Sequence, residues 1–317
     1  MRRAFALSTV CVLLTACGGG GGSGSSSSYQ GVDDYDYISL NSDNAAEIAS
    51  SALDASTDVE LGDTLDFDGG NTQEASLLAL AQRLTTEYTG SSLVQPRASS
   101  VKENCSGGGS FSASKTGSQE SIQSGDTLSV NFKNCVEDGA ITNGGMDIRI
   151  HSFEDGNMDL GANFRQFSLT EDSFTSTLNG DLSMAMASID QQSTFTLTVN
   201  QLNMSSTEAG KFVLADLRIQ QVENDSAQSS TLSIAYELGS DYLDGRVKVE
   251  TPQILSFSEF NSNPDTGVLR VVGAGNSSVT LDADTGNIAT ALLTVFDGSS
   301  TTSDEVNWSS IGDVSDF

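Results

Sequence analysis

The chain has 317 residues, 37% of them hydrophobic, and its 43 acidic against 14 basic residues give a formal net charge of -29. So acidic a surface repels phosphate backbones, which proteins hold through Lys and Arg, and this argues against nucleic acid as a partner. The apolar fraction suffices for a buried core, which argues against a chain disordered throughout.

The N-terminus carries Arg2 and Arg3, an apolar run from Ala4 to Leu14, and small residues ahead of Cys17. Residues 1–16 therefore read as a secretory signal peptide. The run is too short to cross a bilayer as a helix, which needs about 20 residues. Leu14-Thr15-Ala16-Cys17 resembles the lipobox of bacterial lipoprotein signals position by position. The resemblance implies cleavage before Cys17, a diacylglyceryl thioether on its sulfur and an acyl chain such as palmitate on the new amino terminus. The membrane is then a partner through that anchor, since acyl chains contribute about 0.8 kcal/mol per buried methylene. Gly18 follows the cysteine where enteric-type sorting places aspartate for inner-membrane retention, so the resemblance implies the outer membrane, with the periplasmic face or the cell surface left open. Signal removal takes away two arginines and no acid, leaving the mature chain two units more negative.

Residues 17–40 read as a tether. Gly18 to Ser28 are nearly all Gly and Ser, a flexible composition that buries no core, and the acidic stretch Tyr29 to Leu40 with Tyr35 and Tyr37 reads as its end. Residues 41–104 carry short helices and a linker. In Ser42 to Ala55, Ser42 or Asn44 offers an N-cap, and Ala45, Ile48, Ala49, Ala52 and Leu53 share one helical face. Asn71 and Glu74 form a capping box ahead of a second stripe, Leu77, Leu80, Ala81, Leu84 and Tyr88.

Cys11 falls in the signal and Cys17 carries the implied lipid, which leaves Cys105 and Cys135 to pair in an oxidising compartment. That disulfide stabilises by about 3 to 4 kcal/mol in the chain-entropy account.

Across residues 105–317 the pattern has a period of two. Leu128, Val130 and Phe132 alternate with polar residues, as do Met146, Ile148 and Ile150, then Leu182, Met184 and Met186, and Phe195, Leu197 and Val199. Leu232, Ile234 and Tyr236 follow suit, as do Val247 and Val249. One face is apolar and the other wet, as in antiparallel sheets. Turns are expected at Asn143-Gly144-Gly145, Asp155-Gly156-Asn157, Asn179-Gly180, Asp244-Gly245 and Asp284-Thr285-Gly286-Asn287. The fold class is mainly β: a large antiparallel meander curled into a partly closed barrel or a sandwich, with one or two short N-terminal helices packed on it.

Several motifs resemble a group of uncharacterised gammaproteobacterial outer-membrane lipoproteins. They are the lipobox with its glycines, Asn44-Ala45-Ala46-Glu47-Ile48-Ala49, the strand Gly125 to Cys135, the Asn-Gly pairs at 143 and 179, and the hairpin Pro264 to Leu281. The resemblance covers most of the chain and implies a fold and an address, without an activity. Members often carry an acidic Asp-Gly-Asp-Gly near the end, where this chain has Asp297-Gly298-Ser299.

A single histidine rules out a His-Glu-x-x-His metal site, and neither a Gly-x-Ser-x-Gly elbow nor a Gly-Lys-Ser/Thr phosphate loop is present. His151 alternates with Asp147 and Arg149 on a polar strand face, with no nucleophile or orienting acid assigned to it. Asp282, Asp284 and Asn287, and Asp66 with Asp68, resemble turn chemistry more than a calcium loop, which would end in glutamate. The expectation is no enzyme, no catalytic residue, no metal and no cofactor. Two roles remain. In one, the concave apolar face binds a lipid or other apolar ligand beside Met146, Met184, Met186 and Met204. In the other, a solid-cored, adhesin-like lipoprotein meets glycan, protein or another cell through its Ser- and Thr-rich face, with protein partners unknown.

Overall fold

The computed structural model describes residues 30–46, 48–49, 100–117, 123–137, 139–154, 157–171, 174–207, 210–258 and 263–311. The Cys17 lipobox, the glycine tether and the second helical stripe lie outside them.

Fourteen strands form one antiparallel sheet in which every strand pairs with its sequence neighbours. The first five are β1 (Ser100–Asn104), β2 (Ser110–Thr116), β3 (Thr127–Glu137), β4 (Ala140–Glu154) and β5 (Asn157–Glu171). Then come β6 (Phe174–Ile189), β7 (Gln192–Ser206), β8 (Gly210–Asn224), β9 (Ser229–Ser240) and β10 (Gly245–Ser258). The series ends with β11 (Thr266–Val272), β12 (Ser278–Asp282), β13 (Thr290–Phe296) and β14 (Thr301–Asn307), followed by a helical turn, Trp308–Ile311. Among the described residues β1 and β14 do not pair, so the meander is one open sheet rather than a closed barrel or two separate sheets.

The two-residue period builds the core directly. Ile150, Leu160, Met184, Leu197, Ile219 and Ile234 are successive cross-strand partners from β4 to β9. One row over, Leu128, Ile148, Ala162, Leu182, Val199 and Leu217 do the same from β3 to β8. Both rows lie on one face, since residues two apart along a strand share a side. With Val249, Val271, Leu281 and Val295 from the later strands, most of these residues belong to one contiguous apolar cluster.

Two of the expected turns are not turns. Asn143-Gly144 lies inside β4 and Asn179-Gly180 inside β6. Each serves a bulge on the preceding strand, where Asn134 (φ 45) and Gln166 (φ 47) adopt left-handed backbone. The N–H of Asn134 donates to Asn143 Oδ1 at 2.7 Å, and that of Gln166 donates to Asn179 Oδ1 at 3.1 Å. A Cβ on Gly144 would stand 2.1 Å from the Gln166 carbonyl oxygen, and one on Gly180 would stand 2.3 Å from that of Gln201. The extra residue resets the face, so that Phe164 and Phe167, three apart, both reach the core with ring centroids 6.0 Å apart. Bulges raise the local twist, and this line of them helps the sheet to curl. Of the other expected turns, Asp244 falls between β9 and β10 and Asp284-Gly286 between β12 and β13, while Asp155-Gly156 lies outside the described residues.

The acidic segment expected to end the tether is docked instead. After a short 3-10 turn at Val32–Asp34, Tyr37 bridges Arg246 in parallel at the start of β10, just before β11 begins to pair there. Arg246 N–H donates to Asp36 O at 2.8 Å, Ile38 N–H to Arg246 O at 3.1 Å, and Ala274 N–H to Ile38 O at 2.6 Å. Gly239 and Gly245 make room for this strap, since a Cβ on either would lie within 2.5 Å of Tyr35 or Ile38. Leu40 then enters the core fully buried, followed by Ala45, Ile48 and Ala49. Asn44, one of the two expected N-caps, directly precedes the first helical residue and its carbonyl accepts the Ile48 N–H at 3.1 Å, while Asn41 Oδ1 accepts the Asp43 N–H at 2.8 Å in the turn that leads in.

Candidate functional site

The opposite face of β3 to β6 carries a polar groove. Its rows are set by the same register that sets the core. Ser129, Asp147, Asn163 and Asp181 are successive partners, and so are Thr127, Arg149, Gly161, Ser183, Thr198 and Arg218. The feature is a shallow, open depression of about 760 Å³ whose lining includes Thr127, Asp147, Arg149, His151, Gly161 and Arg165.

Most of its polar groups hold one another. Arg165 reaches Asp147 Oδ1 at 3.1 Å and Asn131 Oδ1 at 3.4 Å. Asn163 Nδ2 donates to Asp181 Oδ1 at 2.8 Å. The Arg165–Asp147 pair is half exposed on the arginine side, so it adds little stability and acts mainly to fix both side chains. Arg149 and His151, both exposed, make no hydrogen bond or ion pair with the described residues. The imidazole leans over Gly161, where a Cβ would stand 3.1 Å from His151 Nε2. Among the described residues no carboxylate is hydrogen-bonded to that ring. Ser183 Oγ donates to the Leu160 carbonyl at 3.3 Å and keeps its lone pairs available.

Cys105 and Cys135 are joined as a disulfide with Cα atoms 5.4 Å apart. Glu137 comes near these sulfurs, yet it binds Ser106, accepting the backbone N–H at 2.8 Å and Oγ–H at 2.6 Å. The disulfide leaves no thiolate for a metal. At the C-terminal turns the Asp and Asn side chains serve the backbone. Asp282 accepts the Asp284 N–H at 2.9 Å, Asn287 the Ala289 N–H at 3.1 Å, and Asp297 the N–H groups of Ser299 and Ser300. Those bonds hold the Asp297 carboxyl well below the usual carboxylate range. Asp66 and Asp68 lie outside the described residues, as does the Leu77 to Leu84 stripe.

Of the four methionines expected beside an apolar ligand, Met146 and Met184 are buried and Met186 and Met204 half-buried, with Met146 in the core cluster and Met204 packed on it. Of the groove's other residues, Asn131 was placed on a polar strand face, whereas Gly161, Asn163, Arg165 and Asp181 went unmarked in the sequence. Their one local signal is that each alternates with core positions; what joins them is the cross-strand register.

The chain matches no family model, no curated protein and no solved structure.

Proposed function

We propose that this chain is a lipid-anchored protein of the bacterial envelope, tethered through Cys17, that binds glycan on the polar face of its sheet without catalysis. The groove on β3 to β6 carries this reading. It offers donors and acceptors at short spacing on a rigid sheet, and sugar hydroxyls both donate and accept. Burial of Met146 and Met184 favours this role over an apolar carrier, because side chains already fill that part of the apolar face. The lipobox, the Gly/Ser tether and the likeness to gammaproteobacterial outer-membrane lipoproteins support the address.

Two measurements test it. Metabolic labelling with a palmitate analogue should mark the full-length chain in a bacterial host and leave Cys17→Ala unlabelled; equal labelling of both would refute the anchor. Mature protein should show saturable binding to neutral and acidic trisaccharides that maps by amide shifts to β4 and β5. Binding to detergent or phospholipid alone, mapped to the apolar face, would return the carrier reading.

A further inference from the structure

We infer that Arg149 is the anion-holding residue of the polar groove, so that the groove prefers a glycan that carries a carboxylate. The inference rests on the glycan reading and adds to it a preference for acidic over neutral sugars.

Three observations converge on Arg149. First, the groove's other charges are already engaged: Asp147 holds Arg165, and Asp181 accepts from Asn163. Arg149 has no partner among the described residues, although the chain has 43 acidic residues to 14 basic ones. Second, its cross-strand neighbours on the same row are Thr127 and Gly161, a small side chain and none, with the His151 ring over the glycine. Third, the His151 ring over Gly161 adds a nitrogen donor or acceptor next to the place an oxyanion would take. A guanidinium presents a planar fork that matches a carboxylate in two parallel hydrogen bonds, and the neighbouring hydroxyl and amide groups would then fix the sugar ring. The acidity of the whole chain sets a limit on size. Its long-range field repels a polyanion, whereas a short ligand with few charges meets mainly the local cation.

The test uses mature protein, residues 17 to 317 with Cys17→Ser, and two probes of equal length, trigalacturonate and maltotriose, each titrated while backbone amide shifts are followed. Arg149→Ala should weaken trigalacturonate by about tenfold or more, the loss expected for one charge-assisted pair, and leave maltotriose unchanged. Arg218→Ala supplies a control, since it removes the same charge from an exposed site on the same row beyond the groove. Arg149→Lys should recover part of the loss, which a purely structural role would not predict. Equal weakening by Arg149→Ala and Arg218→Ala would reduce the effect to net charge and overturn the inference. Binding of both sugars in the groove that ignores Arg149 would overturn the inference while sparing the glycan reading. Failure of both sugars to bind would overturn the two together.

Discussion

Asn134 and Asn143 are locked across β3 and β4, the backbone N–H of the first donating at 2.7 Å to the side-chain oxygen of the second. The bond holds Asn134 in left-handed backbone, and the same device recurs one hairpin later between Gln166 and Asn179. Curvature of the sheet is thus written into paired positions on adjacent strands, each followed by a glycine that accepts a close carbonyl.

Gly144→Ala should therefore destabilise the domain by about 2 to 4 kcal/mol, combining backbone strain with collision against Gln166. Gly125→Ala shares a positive φ but meets no atom within 4 Å, so it should cost only about 1 to 2 kcal/mol. Urea unfolding of the two variants decides the matter, and equal losses would remove the steric argument.

Asp126 is a second point of vulnerability. Its carboxylate, almost wholly buried, lies 2.9 Å from Lys115 Nζ and accepts the Gln123 N–H at 2.9 Å. Asp126→Ala would take this carboxylate from beside the mostly buried ammonium and should cost about 3 to 5 kcal/mol, while a double replacement by apolar residues of similar size should restore much of it. A double variant no more stable than Asp126→Ala would show that the carboxylate acts through the backbone instead.

The strap depends on Arg246. This guanidinium lies 4.3 Å from the Tyr37 ring centroid, pairs with Asp33, and approaches Glu237 at 3.6 Å. Arg246→Ala should cost about 1 to 3 kcal/mol and speed protease cleavage between residues 31 and 40. Asp33→Asn should cost under about 1 kcal/mol, because the Asp33 side chain is 91% exposed. Unchanged cleavage in Arg246→Ala would mean that the backbone bonds alone hold the strap.

High pH should loosen the fold. Burial pushes the Tyr236 phenol far up, and burial together with a hydrogen bond to Asp241 pushes Tyr35 up to about 12. In the unfolded chain both ionise near pH 10, at about the ordinary phenol value. Above that pH the unfolded chain releases protons that the folded chain retains. Stability should thus hold below about pH 10 and fall as pH rises through the folded-state values. Denaturation midpoints at successive pH values should fall less steeply in Tyr236→Phe than in the parent.

The meander and its apolar face were legible because alternation at Leu232, Ile234 and Tyr236, or at Met146, Ile148 and Ile150, is a local signal. The Asn-Gly pairs misled for a physical reason. Asn and Gly favour a hairpin turn through left-handed backbone and short-range hydrogen bonding, and a cross-strand bulge uses the same two properties. The strap was illegible because its main partner, Arg246, lies 213 residues from Asp33 and the segment shows no period of its own. The groove was half legible: His151, Arg149 and Asp147 were placed on a wet face, but the residues facing them across β5 and β6 depend on register, which no single strand encodes.

That separation between Asp33 and Arg246 also orders events in time. Every hairpin of the meander can zip as soon as its second strand is available, with short loops to close. The strap precedes every strand of the sheet in the chain and must wait for β10, with a long loop still to be closed. Its docking is therefore a late step of assembly, and a slow kinetic phase reported by the environment of Tyr35 or Tyr37 would mark the moment at which the finished sheet takes hold of its own leading end.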